Sequence, residues 1–352
     1  MAKHKVLICG DFTSRVIPLS IQCADALEAL GHQVVRIDTE DHVSKRQALK
    51  RRLLKSLAKV VGMKKRLAER FQEEDRQVRT AQAMACLDKE KPDMVLVVRG
   101  NDVDPAFLRA ARERGAFLAC WWIKDLRTIH KIEAERPLFD AYFSIHRNLA
   151  QDGIEYLPAY AKDLSRFSPP PTPAAPKRDV VFVGIWTPKR QRFLEAIADF
   201  KLTIVGPGWS RKTRDACPRL AEAVIANKLY GDALRDLYRE ARIVVNINQW
   251  ENDEATGTTL RVADVPCCGP LLLTEYSAGL GEIFTPEEEI AVFSTPEELR
   301  QQIAAYLGDE PRRQKVARAG MDKALALPDH RQRMEVLMRA VDGAATVGHA
   351  VG

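Results

Sequence analysis

Short apolar runs of strand length recur along the chain, and each is followed by a polar or glycine-containing turn and a segment with helical spacing. The first run is Lys5–Cys9, and apolar positions three and four residues apart follow it at 17–30. Strands that alternate with helices are typical of a parallel sheet covered by helices. The pattern therefore predicts an α/β fold whose first strands lie at 5–9, 33–37, 93–98, 116–121, 141–145 and 155–157.

The same alternation begins again after a proline-rich segment, FSPPPTPAAPK at 167–177. Its five prolines exclude a helix or a central strand and favour a semi-rigid linker. The pattern after it predicts strands at 179–184, 202–205, 229–231, 243–248, 270–273 and 290–293, and closing helices at 295–307, 311–325 and 330–341. We predict an N-terminal domain at 1–166, the linker at 167–177, a C-terminal domain at 178–328, and a helix and tail at 329–352 that could pack back on the N-terminal domain.

Composition is that of an ordinary globular protein, with 352 residues, 46% of them hydrophobic and 29% charged, and a net charge of +6. The seven cysteines include no CxxC pair, so reduced thiols without zinc are expected. The seven histidines form no HxH or HxxxH pair, and we predict no bound metal or other cofactor. The first residues do not resemble a signal peptide, and no apolar run reaches the length of a membrane span. These features predict a cytoplasmic protein.

The stretch at 257–284 carries the clearest chemistry. Gly257, Thr258 and Thr259 place small residues and hydroxyls at a predicted helix start, where unpaired N–H groups favour an anion. Arg261 follows one turn into that helix and can reach the same anion with a forked donor, and Asp264 shares its face. The stretch therefore predicts a site for a ligand with phosphate and hydroxyl groups.

An ordered set of segments across 155–325 resembles a known family: YLPAYAKDLSRFSP, DVVFVGIWTPKR, IVGPGW, LYREARIVVNIN, LRVADVPCCGPLLLTEYSAGLGEIF and EEIAVF. The set is similar to GT-B glycosyltransferases, and in particular to the CgeB-like spore-maturation family among the group-1 type enzymes. This resemblance implies a GT-B architecture, with two Rossmann-like parallel-sheet domains facing a cleft. It also implies that the C-terminal domain binds a nucleotide-diphosphate sugar and that the N-terminal domain binds the acceptor.

The resemblance also implies roles for individual residues. It places four residues in the first loop on the phosphate side: Gly184, Thr187, Lys189 and Arg190. Gly208 and Trp209 are expected near the nucleotide, and Thr258, Thr259 and Arg261 at the diphosphate. Asp264 stands where the family usually has a glutamate that holds ribose or sugar hydroxyls, and Pro266 should bend or shorten its helix.

Several of these residues have a simpler structural interpretation. Arg261 could form only a salt bridge with Asp264, and Lys189 and Arg190 could be solvated charges at a helix start. Trp209 could stack on a base or belong to the core. Asn246 and Asn248 alternate with apolar residues on a predicted strand, where they could bind a ligand hydroxyl or form structural hydrogen bonds.

An inverting transferase needs a base that takes the proton of the acceptor hydroxyl. Four side chains at predicted strand ends of the N-terminal domain qualify: Asp11, Asp102, Asp125 and His146. Asp125, which follows a Trp-Trp strand end, is the first candidate, and a retaining enzyme would need none of them.

Residues 45–70 hold eleven lysines and arginines between apolar positions with helical spacing. Such a helix can lie on an anionic membrane surface, or it can pack on its own sheet with a solvated basic face. No aromatic side chain interleaves the basic run up to Arg70, so we predict no nucleic-acid partner.

Together, the residues and the resemblance predict a metal-independent hexosyltransferase, in which cations stabilise the departing diphosphate. The expected partners are a nucleotide sugar and a carbohydrate or lipid-linked acceptor, such as a glycolipid, a polysaccharide or a protein glycan of the cell envelope. Two alternatives remain open: a non-catalytic module of GT-B fold that binds a nucleotide sugar, and a sugar-nucleotide epimerase.

Overall fold

The structure is a computed structural model that describes residues 3–12, 19–39, 54, 64–98, 104–123, 133–149, 153–172, 175–249 and 258–348. The chain forms two compact units. The first consists of Met1–Ser144, Gln151–Glu155 and Met334–Gly352, and the second of Ile145–Ala150 and Tyr156–Arg333.

The first sheet is built from six strands in the order β2-β1-β3-β4-β5-β6. The strands are β1 (Lys5–Gly10), β2 (Gln33–Asp38), β3 (Met94–Val98), β4 (Phe117–Trp122), β5 (Ala141–Ser144) and β6 (Ile154–Tyr156). Neighbours from β2 to β5 pair in parallel, as the alternation of strands and helices predicts. The direction of strand addition reverses between β1 and β3, which is the switch point of a flavodoxin-like order.

The second sheet also has six strands, in the order β12-β11-β10-β7-β8-β9. The strands are β7 (Arg178–Val183), β8 (Leu202–Val205), β9 (Val224–Ala226), β10 (Ala241–Asn246), β11 (Leu271–Glu275) and β12 (Ala291–Phe293). All neighbouring pairs are parallel. This is the Rossmann order 3-2-1-4-5-6, so the switch point lies between β7 and β10.

Helices connect the strands and close the chain. In the described ranges they are α1 (Leu19–Ala29), α2 (Lys64–Glu90), α3 (Pro105–Glu113), α4 (Pro188–Glu195), α5 (Trp209–Lys212), α6 (Pro218–Glu222), α7 (Gly231–Arg239), α8 (Arg261–Cys267), α9 (Pro296–Gly308), α10 (Glu310–Ala326) and α11 (His330–Gly348). Short 3-10 helices lie at Arg136–Leu138, Arg147–Leu149 and Ala278–Glu282. The three predicted closing helices are confirmed as α9, α10 and α11.

Both faces of the second sheet are buried, and each strand contributes to both because its side chains alternate. Val181 of β7 and Val244 of β10 point into one apolar cluster, and Phe182 and Val245 point into the other. Each fully buried side chain of this kind stabilises the fold by about 1.5–3 kcal/mol. The carboxyl ends of β7, β10 and β11 are thereby held in a rigid layer.

Two features of the second unit differ from the sequence prediction. The strand expected at 229–231 is wrong: β9 lies at Val224–Ala226, and α7 begins at Gly231. The main segment of the unit also begins at Tyr156, before the predicted linker. Phe167, the first residue of that linker, is buried in the core of the unit, with its ring 6.1 Å from that of Tyr238. Residues from Met334 onward belong to the first unit, in which Asp342 lies 3.1 Å from His4 Nε2.

Candidate functional site

The candidate site lies at the switch point of the second sheet. Ligands of open α/β sheets bind outside the carboxyl ends of the strands at this point, because the loops on either side diverge there. The loop after β7 leads through Thr187 into α4, and Thr187 caps that helix by accepting a hydrogen bond from the Arg190 backbone N–H at 3.2 Å. The neighbouring strand β10 runs into Asn248, and β11 ends at Glu275.

Lys189 and Glu275 form a buried ion pair across these strand ends. Lys189 Nζ lies 2.8 Å from Glu275 Oε1, and the two side chains are 8% and 2% exposed. The second carboxylate oxygen of Glu275 accepts a hydrogen bond from the Asn248 backbone N–H at 2.9 Å. Lys189 is therefore not a solvated surface charge, which settles one of the alternatives left open by the sequence.

Arg190 is also buried, and its guanidinium is held by backbone carbonyls. Its Nε and Nη2 donate to the Ile247 carbonyl at 3.0 and 2.9 Å, and Nη1 donates to the Ile185 carbonyl at 3.2 Å. Burial and the nearby charge of Arg261 lower the pKa of Arg190 to about 9, against the opposing effect of Glu275. Arg190 and Arg261 are thus near enough for their charges to disfavour each other.

Arg261 is the first residue of α8 and faces the end of β10. Its Nη1 lies 3.5 Å from Asn246 Oδ1, while the Asn246 amide donates to Thr274 Oγ1 at 2.9 Å. Asn246 therefore connects β10, β11 and α8 by structural hydrogen bonds. Burial raises the pKa of the nearby Tyr238 to about 12, and the charge of Arg261 opposes this shift. The guanidinium is only partly buried, so it can meet a ligand.

Asp264 lies one turn further along α8, as the sequence predicts. Burial and the nearby Asp163 raise its pKa well above the usual range, although Arg261 and Arg166 oppose this shift. Asp264 is still partly exposed, and the protein atoms around it raise its pKa by disfavouring the charged carboxylate. Its carboxyl oxygens can accept hydrogen bonds from sugar hydroxyls.

The helix start differs from the prediction. α8 begins at Arg261, so Thr258 and Thr259 precede it, and Arg261 lies in its first turn instead of one turn in. Thr258 is buried, and the buried Oγ1 of Thr259 has no hydrogen-bond partner among the described residues. An unsatisfied buried hydroxyl beside Arg261 fits an anion or hydroxyl ligand. Pro266 lies near the helix end, so α8 is short, as predicted.

Trp209 belongs to the core. Its side chain is 0% exposed, its Nε1 donates to the Gly184 carbonyl at 2.8 Å, and its ring packs edge-on against Phe182 at 5.7 Å. A nucleotide base therefore cannot stack on this ring, because the ring is covered by the core. Gly208 is exposed with φ at 92°, and a Cβ there would lie 3.1 Å from Trp186 Cβ.

Sequence reasoning missed two side chains at this site, Trp186 and Glu275. Trp186 is partly exposed, its Nε1 donates to Gln191 Oε1 at 2.7 Å, and Lys212 Nζ lies 5.0 Å from its ring centroid. The sequence signal for Trp186 was its position two residues after Gly184, which ends a predicted strand. Glu275 lies in the stretch 274–277 after a predicted strand, where open α/β sheets bind ligands, but nothing in the sequence indicates that it is buried and paired with Lys189.

Two candidates for the catalytic base lie in the described residues. Asp11 follows β1 and is 1% exposed, and His146 lies two residues after β5 and is 0% exposed. An acceptor hydroxyl reaches neither carboxylate nor imidazole without a rearrangement. Asp125, Asp102, Gly257 and residues 45–63 other than 54 lie outside the described residues.

The arrangement is suited to binding an anion. Lys189, Arg190 and Arg261 bring three cationic groups to the strand ends, beside the carboxyl groups of Glu275 and Asp264. In the described part of the chain, no three His, Cys, Asp or Glu side chains are grouped so that they could hold a metal ion. No helix within the described ranges combines the length and apolar character that crossing a membrane requires.

Comparisons with known proteins agree with this geometry. Residues 189–339 match the model of a family described as glycosyl transferase-like, a stretch that includes Lys189, Arg190, Arg261, Asp264 and Glu275. No curated protein matches the chain.

Solved structures resemble the whole chain in fold. A sucrose-phosphate synthase from Thermosynechococcus elongatus is 14% identical, with a TM-score of 0.68 over 97% of this chain and 100% of that one. The Anabaena protein HepE, in complex with UDP-glucose, is 10% identical, with a TM-score of 0.66 over 97% and 100%. A glycosyltransferase involved in avilamycin A biosynthesis is 17% identical, with a TM-score of 0.56 over 97% of each chain.

At these identities the likenesses concern the fold. The two six-stranded parallel sheets form the GT-B fold, which confirms the predicted fold class. The stretch that matches the family model begins at Lys189 and covers most of the second unit, so Lys189, Arg190 and Arg261 lie inside it.

Proposed function

We propose that this protein is a glycosyltransferase that moves a sugar from a nucleotide-diphosphate sugar to a hydroxyl group of an acceptor. The observation that carries the proposal is the convergence of Lys189, Arg190 and Arg261 at the switch point of the second sheet. All three lie inside the glycosyl transferase-like match, and a structural relative from Anabaena has UDP-glucose bound.

Transfer breaks the bond between the anomeric carbon and a diphosphate oxygen, and negative charge develops on that oxygen. Cations that are already fixed in place stabilise this charge without reorganisation, and they act more strongly where water is excluded. Lys189 and Arg261 would contact the diphosphate, and buried Arg190 would add positive charge beneath it. Asp264 would hold hydroxyls of the ribose or the sugar. Because the cations supply this stabilisation, we propose that transfer of a hexose proceeds without a divalent metal.

The acceptor and the base belong to the same proposal. The resemblance to the CgeB-like family favours a carbohydrate or lipid-linked acceptor of the cell envelope. Asp125 is the proposed base of an inverting reaction, and the buried His146 and Asp11 are further candidates that a rearrangement would first have to expose.

We further propose that the basic stretch at 45–70 holds the enzyme on the cytoplasmic face of an anionic membrane. Flotation with vesicles that contain anionic phospholipid should recover the protein at low salt, and high salt should release it because the attraction is screened. Neutral vesicles serve as the control. Absence of the protein from the anionic vesicle fraction at low salt contradicts membrane binding.

The decisive test of the transferase proposal is a thermal-shift screen over UDP, GDP, CMP, ADP and dTDP sugars. A true donor at about 100 times its Kd should add about 2.7 kcal/mol to the free energy of unfolding and raise the melting temperature clearly. Turnover of that donor is then measured with and without EDTA, and we expect equal rates.

Each other outcome has a defined meaning. Binding of a donor without turnover on any acceptor favours the non-catalytic module, and interconversion of the free donor favours the epimerase. A rate that EDTA abolishes contradicts metal independence alone. No binding of any nucleotide sugar contradicts the proposed function as a whole.

A further inference from the structure

Glu275 joins the carboxyl ends of three neighbouring strands. It is the last residue of β11 and is 2% exposed. One oxygen pairs with Lys189 Nζ at 2.8 Å, on the helix that follows β7. The other accepts from the Asn248 backbone N–H at 2.9 Å, in the turn that follows β10. Because β10 lies between β11 and β7, a single carboxylate spans the strand ends at the switch point.

The ion pair determines where Lys189 can hold its charge. A buried ammonium without a counter-charge is strongly disfavoured, and a long lysine side chain has many rotamers. Glu275 offsets the cost of burial and restricts the ammonium to one position. An ammonium has three N–H donors, so the pairing does not exclude contact with an anionic ligand.

A second path leads from Glu275 to Arg190. The hydrogen bond to the Asn248 N–H fixes the turn at 247–248. The Ile247 carbonyl of this turn accepts from both Nε and Nη2 of Arg190. The same carboxylate therefore determines the positions of both cations in the first turn of α4.

We propose that Glu275 is a positioning residue for the diphosphate of the donor, acting through Lys189 and the 247–248 turn without touching the donor itself. This inference rests on the proposed function. The proposal predicts a change in diphosphate affinity opposite in sign to the one that net charge alone predicts. Removing a negative charge makes the site more positive and should tighten binding of a diphosphate, whereas loss of positioning should weaken it.

The test is a double-mutant cycle with Glu275→Gln and Lys189→Met, with inorganic pyrophosphate and UDP as the probes in titration calorimetry. The amide oxygen of the introduced glutamine would still accept from the Asn248 N–H but could not form an ion pair with an ammonium, so E275Q isolates the ion pair. We expect E275Q to weaken binding of both probes by about tenfold, a typical coupling between contacting residues. In the K189M background, the same substitution should change binding little. A residue that only stabilises the fold would lower affinity equally in both backgrounds.

Glu240→Gln is the matched control. Glu240 pairs with Lys177 in the same unit, but it lies just before β10, at the opposite end of the strand from the site. E240Q should leave the affinity for both probes unchanged. If E275Q does not fold, Glu275→Asp takes its place, because its carboxylate is one methylene too short to reach both partners and should also weaken binding.

The outcomes separate this inference from the proposed function. Tighter or unchanged binding by E275Q, or an equal loss in both backgrounds, overturns the positioning role while the wild-type protein still binds and turns over its donor. Failure of the wild-type protein to bind a nucleotide sugar or pyrophosphate overturns the proposed function instead.

Discussion

Replacing Arg261 with alanine is expected to weaken binding of the nucleotide sugar by at least about 100-fold. Hydrogen bonds to charged groups each contribute about 1.5–3 kcal/mol, and a guanidinium can offer two of them to one diphosphate. Arg261 also lies close enough to Arg190 to lower the pKa of that guanidinium, so an anion between them would interact with both. Titration calorimetry with the donor found in the thermal-shift screen measures the loss.

The fold should survive this substitution. Arg261 is partly exposed, and its removal takes a like charge away from buried Arg190. The melting temperature without ligand should therefore stay near that of the wild-type protein. Arg261→Lys keeps the charge but loses the forked donor, and its affinity should fall between those of the two proteins.

Arg300→Ala provides the control for a lost arginine. Arg300 forms a surface ion pair with Asp199 in the same unit and should leave donor affinity unchanged. Wild-type affinity in R261A would show that Arg261 does not bind the donor. It would also contradict the anion-binding role of the stretch that begins at Thr258.

The arrangement of the strands could be predicted from the sequence only up to a point. Alternation of apolar runs and helical patterns indicates parallel sheets, because this connection places each strand beside another of the same direction. The order of the strands has no such local signal, since it depends on which helices cover which face. β9 was misplaced because its three residues, Val224–Ala226, give too short a run to outweigh the neighbouring Leu229 and Tyr230.

The cations of the site were predictable, but their partners were not. Lys189, Arg190 and Arg261 stand beside glycine and threonine turns, a local pattern that indicates an anion. Glu275 is distant in sequence from Lys189, and only the pairing of β11 with β10 and of β10 with β7 brings them together. A contact that depends on sheet topology cannot be inferred from spacing along the chain.

The two tryptophans show the same limit. Trp186 and Trp209 both follow glycine-containing strand ends, and nothing in the sequence separates a core ring from an exposed one. Packing decides between them, because Trp209 fills the space beside Phe182 and Trp186 remains partly exposed.

Replacing Gly206 with alanine is expected to destabilise the second unit by about 3 kcal/mol or more and to abolish donor binding. Gly206 follows β8, and a Cβ atom there would lie 1.8 Å from the Gly184 carbonyl oxygen and 2.6 Å from its carbon. Both atoms belong to the backbone, so a rotamer change cannot relieve the clash. Overpacking typically costs about 1–3 kcal/mol, and contact with a fixed backbone belongs at or above the upper end of that range.

The clash should also disturb the binding site, because the displaced backbone at Gly184 leads into that site. The Gly184 carbonyl accepts the Trp209 Nε1 hydrogen bond, and the residues that follow it carry Thr187 and Lys189 into α4. Moving Gly184 away from Gly206 would break that hydrogen bond and shift the first turn of α4. Thermal melting should show a decrease of roughly 6–12 °C for a unit of this size, and titration of the donor should show no binding.

Gly308→Ala is the control, since a Cβ at the end of α9 would meet no atom within 4 Å. Its effect on stability should stay within about 0.5 kcal/mol, as for surface substitutions in general. Wild-type melting of G206A would show that the loops after β7 and β8 can separate freely. In that case the strand ends would not be rigid enough to hold Lys189 and Arg190 in place before the donor binds, and the charge stabilisation proposed for transfer would lose its structural basis.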